Sequence, residues 1–326
     1  MTITTLSRRT FNTAAVGIAA SVAAPAWAQP AQTLRIISPY GAGGTGDVLA
    51  RSLGDRLAAQ MKKTVIVDNK PGAGGSLGLQ ALIQAPADGQ TICLVATSPI
   101  TVLPHLQKLR YNPEKDIQPI APVMISPVVI LATSSFKGKA IADLVAEAKK
   151  RPGEVSLAST GLGTVGHILI ESLADAAGVR FLHVPYKAAG QTLTDGMAGI
   201  FDVLVANPFP GLAEQIKLGR FRMLAIAAPT RASEYPNVPT LAEAGFKSAQ
   251  VYSTYGVVGP AGLTADQVSV LNREINAALQ TPELRATIAA NDGRPAGGGS
   301  TEYVQALRTE SAANARIIRA ANIRLD

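Results

Sequence analysis

Two stretches decide the fold: Ser38-Pro39-Tyr40-Gly41-Ala42-Gly43-Gly44-Thr45-Gly46-Asp47 and Asp68-Asn69-Lys70-Pro71-Gly72-Ala73-Gly74-Gly75-Ser76. Each follows a short apolar run, Leu34–Ile37 before the first and Val65–Val67 before the second. Each also opens a segment of helical character. In Asp47–Met61, the residues Leu49, Leu53, Leu57 and Met61 recur at the spacing of one helix face, and Ser76–Gln84 reads as a helix begun by glycines. Thr91–Ala96 predicts a third strand. Strands and helices alternating in this order predict an α/β fold, with a parallel sheet covered by helices on both faces.

Outward from these loops, a second block repeats the scheme. Ile141–Arg151 predicts a helix stopped by Pro152-Gly153, with Lys149, Lys150 and Arg151 suited to its C-terminal end. Val155–Ala158 predicts a strand, Ser159-Thr160-Gly161-Leu162-Gly163-Thr164 a glycine loop, and Val165–Ala177 the helix it opens. Phe181–Val184, Val203–Val205 and Met223–Ile226 read as strands, with helices at Gln191–Ala198 and Leu212–Leu218 between them. The chain ends in helices: Thr264-Ala265-Asp266-Gln267 is a capping-box pattern, Thr281-Pro282 starts another helix, and a last one follows Gly297-Gly298-Gly299. Two apolar crossings, Val123–Ala132 and Val251–Val258, bracket the second block and read as hinge strands. The expected organisation is therefore one lobe of about 29–124 plus 251–326 and a second of about 125–250.

Gly41-Ala42-Gly43-Gly44-Thr45-Gly46 matches the dinucleotide pattern G-x-G-x-x-G, and Asp68 stands near the usual distance for a ribose-binding acid. An exported nicotinamide-dependent oxidoreductase using this loop is the competing function. Three features oppose it. Ser38-Pro39-Tyr40 separate the strand from the first glycine, Asp47 would repel a pyrophosphate, and the next strand leads into another glycine loop. Several glycine loops aimed at one crevice suit a small anion better. Glycine lets backbone N–H groups come close, and helix N-termini add partial positive charge. Such loops lie at the carboxyl ends of parallel strands, where open α/β sheets bind ligands. Candidate ligand contacts are Tyr40, Gly43, Gly44, Thr45 and Asp47 in the first loop and Ser76 after the second. Thr97 and Ser98 follow the third strand, and Ser159, Gly161, Gly163, Thr164 and His167 lie in or beside the second-lobe loop.

Composition narrows the class further. Residues 1–28 carry Arg8 and Arg9, an apolar run from Ala14 to Ala24, and Ala26-Trp27-Ala28, the pattern of a cleaved export signal. Ser7-Arg8-Arg9-Thr10-Phe11 resembles the twin-arginine signal, with a general secretory signal as the alternative. The expected location is the periplasm. The formal net charge of +7 is scattered, with few aromatics between the bases, so nucleic acid is not an expected partner. A mild positive field suits anionic ligands. Cys93 is the only cysteine, so no intrachain disulfide forms, and it reads as a small buried hydrophobe. One Cys and three scattered His give no metal-ligand spacing, and no cofactor is expected. No Gly-x-Ser-x-Gly motif is present, and no catalytic role is assigned.

Together, the glycine loops and other segments resemble the solute receptors of tripartite tricarboxylate transporters, the Bug family. The carrying residues are Pro39-Tyr40 with Gly43-Gly44-Thr45-Gly46-Asp47, Val67-Asp68-Asn69-Lys70-Pro71-Gly72-Ala73-Gly74-Gly75, and Ala87-Asp88-Gly89. Ser159-Thr160-Gly161-Leu162-Gly163-Thr164 with His167, His183-Val184-Pro185-Tyr186-Lys187, and Asp195 with Gly199 continue the series. Pro239-Thr240-Leu241-Ala242-Glu243-Ala244-Gly245 and Gly259-Pro260-Ala261-Gly262 complete it. The resemblance implies a type II periplasmic-binding-protein fold, in which two lobes joined by hinge strands hold a carboxylate in the cleft between them. It also implies delivery to the membrane permease subunits of such a transporter, with the receptor expected as a monomer. It adds Tyr186, Ala188, Asp195 and Asn207 to the candidate contacts. The chain departs from the family at Ala188-Ala189, where a glycine is usual, at Thr254, where an aromatic is common, and at Asn207, where Asp is frequent.

Single residues admit two readings. His167 can hydrogen-bond a ligand carboxylate or fix the Gly163-Thr164 loop. Asp47 and Asp195 can pair across the cleft or order their own local structure. His105 reads as a surface or lobe-packing residue and His183 as a hydrogen-bonded core residue. Lys187 is either solvated or a long-range charge at the cleft mouth.

Overall fold

Alternation within the strands explains the architecture. In β1 (Leu34–Ser38), Leu34 and Ile36 face one apolar cluster and Ile37 another. In β3 (Thr91–Ala96), Ile92 and Leu94 join the first cluster, and Cys93 and Val95 the second. Both faces are covered, so these strands are continuous apolar runs. The computed structural model describes residues 33–187, 189–232, 234–249, 251–320 and 322–324. The expected export signal, residues 1–28, lies outside the described residues.

The first sheet has six strands, with β1 between β3 and β2 (Val65–Asn69), parallel to both. Beyond β3 come β10 (Ser253–Pro260), antiparallel, then β4 (Ile117–Ser126) and the short β11 (Arg294–Pro295). The second sheet has five strands. Here β6 (Ser156–Ser159) lies between β7 (Leu182–Pro185) and β8 (Val203–Ala206), followed by antiparallel β5 (Val128–Ala132) and β9 (Arg222–Ala227). The two sheets share one order. In each, an antiparallel strand is inserted before the fourth strand: β10 enters the first sheet after the chain returns from the second, and β5 enters the second directly from β4. The result is two lobes exchanging hinge strands.

Helix α1 (Thr45–Met61) buries Leu49, Leu53 and Leu57 against one face of the first sheet, beside α8 (Ala265–Ala278) and α9 (Pro282–Ala289). Helix α2 (Ser76–Ile83) covers the opposite face with Leu79 and Leu82. On the second sheet, α4 (Ile141–Lys150) and α5 (Val165–Ala177) cover one face, and α6 (Ala189–Met197) and α7 (Pro210–Lys217) the other. A short helix, α3 (Ser98–Thr101), follows β3. The last helix, α10 (Ser300–Ala320), links the cores. Tyr303 and Leu307 pack with the first sheet, whereas Ile318, and Ile323 beyond the helix end, join the cluster built on the second. Val102 from the first lobe joins that same cluster. Cys93 is free and fully buried, as its sequence context predicts.

Pro127 marks the first crossing. It has no N–H, so the ladder breaks between β4 and β5. Asn207, just past β8, ties both crossings together. Its Nδ2 donates to the Pro127 carbonyl (2.8 Å) and to Ser126 Oγ (3.2 Å), and its Oδ1 accepts from Ser253 Oγ (3.0 Å). Ser126 and Ser253 are buried, so these groups have little access to water. Replacing Asn207 by Leu would remove their shared partner, and each stranded buried polar group costs about 1–3 kcal/mol. Urea unfolding of Asn207→Leu should show a loss of at least 1 kcal/mol at an unchanged m-value. A change below about 0.5 kcal/mol would show that the hinge does not depend on this side chain.

Candidate functional site

Three glycine-loop helices, α1, α2 and α5, start at the loops that meet between the two sheets, and the first two have glycine as their N-cap. Away from the crevice, Thr264 and Thr281 cap α8 and α9 by accepting backbone hydrogen bonds. At the crevice, the N-caps of α1 and α2 are Gly44 and Gly75, which have no side chain to accept with. The first-turn N–H groups of these two helices therefore have no side-chain cap, and they carry the positive end of the helix dipole.

The first loop takes its shape from an internal carboxylate. Asp47 Oδ2 accepts from the Gly43 amide (3.0 Å) and from Arg51 Nε (3.1 Å), its Oδ1 accepts from Asn69 Nδ2 (2.8 Å), and Arg51 Nη2 pairs with the same carboxylate at 2.9 Å. Asn69 Nδ2 also reaches the Tyr40 carbonyl (3.0 Å). Burial alone would raise the Asp47 pKa. The hydrogen bonds from Arg51, Asn69 and Gly43, with the Arg51 charge, outweigh it and hold the carboxyl below its ordinary value. Asp47 thus orders its own loop. Asp68 is engaged by Lys70 and Arg35 (3.3 and 3.8 Å). The G-x-G-x-x-G match forms the turn between β1 and α1.

Other first-lobe candidates are partly committed to the protein. The Tyr40 hydroxyl accepts from the Ala96 amide (2.6 Å). Thr97 Oγ1 donates to Glu310 on α10, whose carboxylate also accepts from Thr101 (2.8 Å). Ser76 and Ser98 are buried at the same sheet end. Thr45 reaches across: its hydroxyl donates to the Pro208 carbonyl of the second lobe (2.9 Å).

In the second lobe, Thr164 caps α5 by accepting from the His167 amide (3.4 Å), and the Gly163 amide donates to His167 Nδ1 (3.2 Å). Ser159 Oγ lies 2.7 Å from His183 Nε2 and 3.2 Å from both the N and O of Gly161. His167 therefore fixes the loop. Tyr186 donates to Asp195 (2.8 Å), and its pKa is pushed up to about 12 by desolvation and by that carboxylate, so it stays a donor. Asn207 belongs to the hinge cluster described above, Lys187 is exposed, and His105 pairs with Ser311 on the surface (2.8 Å). Ala188 lies outside the described residues.

The loops of the two lobes touch. Gly163 has φ +68°, and a Cβ there would overlap the Leu103 side chain of the first lobe. A Cβ on Gly74 would stand 3.2 Å from the Leu162 carbonyl. By contrast, a Cβ on Gly43 (φ +80°) meets nothing within 4 Å. The sequence gives no signal for the roles of Leu103 and the Pro208 carbonyl. Arg51 was readable as the i,i+4 partner of Asp47, and Asn69 stands in the quoted second stretch. Two cavities, of about 290 and 360 Å³, lie elsewhere and include none of the candidate contacts. The first is at the back of the hinge, between Pro127, Tyr252 and Asp292, and the second is beside Tyr111. Among the described residues, no group of side chains could hold a metal ion and no helix is long and apolar enough to cross a membrane.

Two outcomes follow. Asp47→Asn keeps the shape but loses the charge, and should cost roughly 1.5–3 kcal/mol at pH 7, as for hydrogen bonds to charged groups. Because the folded pKa is lowered, the wild-type advantage should fade as pH falls through about 4 and below. Urea melts at pH 7 and pH 3 would check both, and equal stability at pH 7 would contradict the assigned role. Gly163→Ala should hinder approach of the lobes and enlarge the radius of gyration in small-angle scattering. Leu103→Ala in the same chain should restore part of the compaction. An unchanged radius for folded Gly163→Ala would show that the contact does not limit closure.

The family described as tripartite tricarboxylate transporter family receptor matches residues 49–323. Protein BugT of Bordetella pertussis is 34% identical over 284 residues, covering 86% of each chain. Rpa4515 of R. palustris, solved with adipate, has a TM-score of 0.85 at 26% identity, covering 91% of this chain and 99% of that one. MatC of Rhodopseudomonas palustris, solved with malate, has a TM-score of 0.81 at 25% identity, covering 89% and 99%.

Proposed function

Given that the chain belongs to the tripartite tricarboxylate transporter receptor family, we propose that it captures a small carboxylate between its two lobes in the periplasm and delivers it to membrane permease subunits. The observation that carries this reading is the pair of glycine-capped helix N-termini, α1 and α2, turned toward the other lobe, with Thr45 of α1 on the Pro208 carbonyl and Gly74, before α2, beside Leu162 of the Ser159–Thr164 loop. Backbone N–H groups in such a setting suit a carboxylate without a cation. The adipate and malate held by structural neighbours support the same ligand class. The contacts we favour are the amides of Thr45 and Gly46, the Gly161 amide shared with Ser159 Oγ, and the hydroxyls of Ser76 and Ser98, while the Tyr186 hydroxyl donates to Asp195. Thr45 acts chiefly as a cross-lobe latch, and Asp47, Thr97, Asp195 and Asn207 hold the frame. The chain acts as a monomeric receptor without a catalytic step. The lobes are 29–124 with 251–326 and 125–250, and α10 is shared at its end. Residues 1–28 serve as the export signal.

A thermal-shift screen over mono-, di-, tri- and aromatic carboxylates tests this function. A ligand binding only the folded state adds about 2.7 kcal/mol at 100 times its Kd, which should raise Tm by several degrees. At least one acid should do so, and NADH should not. Stabilisation by NADH with no response to any acid would overturn the reading. Lys187→Ala should weaken the best acid only modestly and mainly at low salt, because screening removes long-range attraction. A loss above about 3 kcal/mol, the upper end for a charged hydrogen bond, would instead make Lys187 a direct contact.

A further inference from the structure

We propose that His167 and His183 are a pair of positioning residues whose stacked, uncharged rings hold the Ser159–Thr164 loop in its ligand-binding shape, so that acid releases the loop. The proposal rests on the ligand role given to that loop above. The rings come from different elements, α5 and β7, yet lie 4.3 Å apart at 8°. Each ring holds a different part of one loop. His167 Nδ1 accepts from the Gly163 amide, and His183 Nε2 meets Ser159 Oγ, which in turn contacts Gly161 N and O. The stack is thus a brace between the two ends of the loop.

The geometry works in one charge state. An imidazole accepts at Nδ1 only when that nitrogen has a lone pair, and both nitrogens of a charged ring are donors. Protonating His167 would therefore set an N–H against the Gly163 N–H and place a charge beside the second ring. Burial lowers the His167 pKa to about 4. Burial and then the neighbouring His167 lower that of His183 to about 4 as well. The acid facing the stack is Glu171 on α5, 3.9 Å from His167 Nε2, and burial raises its own pKa. Helix α10 and the Lys247–Ala249 turn also pack on α5, but no charge from either contributes to the His167 shift.

Both folded pKa values lie below the ordinary value of 6.5, so the open loop binds more protons between about pH 6.5 and pH 4. Holding the loop closed becomes harder as pH falls through that window. Linkage over this range favours opening more than tenfold per ring between pH 7 and pH 5.

Hydrogen exchange of the Gly163 amide, corrected for the intrinsic pH dependence, reads this equilibrium without any ligand. In wild type the corrected exchange should rise at least tenfold from pH 7 to pH 5, while amides of Val203–Ala206 stay protected. His167→Asn places an acceptor near the old Nδ1 position, and His183→Gln one near the old Nε2. The double variant should keep the loop protected at pH 7 and change less than threefold at pH 5. His167→Leu should expose the Gly163 amide at both pH values. A flat wild-type profile, or an equally steep one in the double variant, would overturn the proposal and leave the carboxylate reading standing. An acid-sensitive loop in a protein that no carboxylate stabilises would overturn the ligand role and, with it, the positioning role.

Discussion

A loop that offers bare amides to an anion must be rich in glycine, and such a loop has no shape of its own. Everything around the cleft answers that constraint. In the first lobe, the Asp47 carboxylate gathers the Gly43 amide, Arg51 and Asn69, and Asn69 also holds the Tyr40 carbonyl. In the second, Ser159, His167 and His183 do the same for Gly161 and Gly163. One loop is fixed by a charge held below its usual pKa, the other by rings held uncharged. In both cases the central accepting group, Asp47 or His167, is buried, where its hydrogen bonds are worth most.

The lobes themselves are cut from one pattern. Each sheet borrows its antiparallel strand from chain entering or leaving the other lobe, so the hinge is made of core strands rather than a free linker. Asn207 binds the two crossings together, and α10 starts in one core and ends against the other. Relative motion of the lobes must therefore bend around Pro127 and the segment before β10. The direct Thr45–Pro208 bond and the seating of Gly163 on Leu103 favour the closed arrangement.

Much of this was legible in the sequence, because it follows from local chemistry. Short continuous apolar runs marked the strands, and glycines after them marked the loops. The apolar stretch 123–132 announced the first crossing, although Pro127 divides it into β4 and β5. The capping of α8 by Thr264 and of α9 by Thr281 appears as written in the sequence. What was illegible was long-range. Nothing near Thr97 announces that Glu310 takes its hydroxyl, and nothing near Ser159 announces that His183 will stack on His167. Likewise, Gly163 reads as an approach to ligand, but the space beside it is filled by Leu103, sixty positions earlier in the chain. Such contacts depend on how the two sheets close, which no local spacing encodes.

The most direct measurement is a crystal structure with the carboxylate that stabilises the protein most. The expected density places a carboxylate oxygen within hydrogen-bond distance of a first-turn amide of α1 or α2, with the same molecule touching the Ser159–Thr164 loop. A carboxylate held instead by a lysine or arginine side chain, or seated in the hinge cavity between Pro127, Tyr252 and Asp292, would contradict that arrangement.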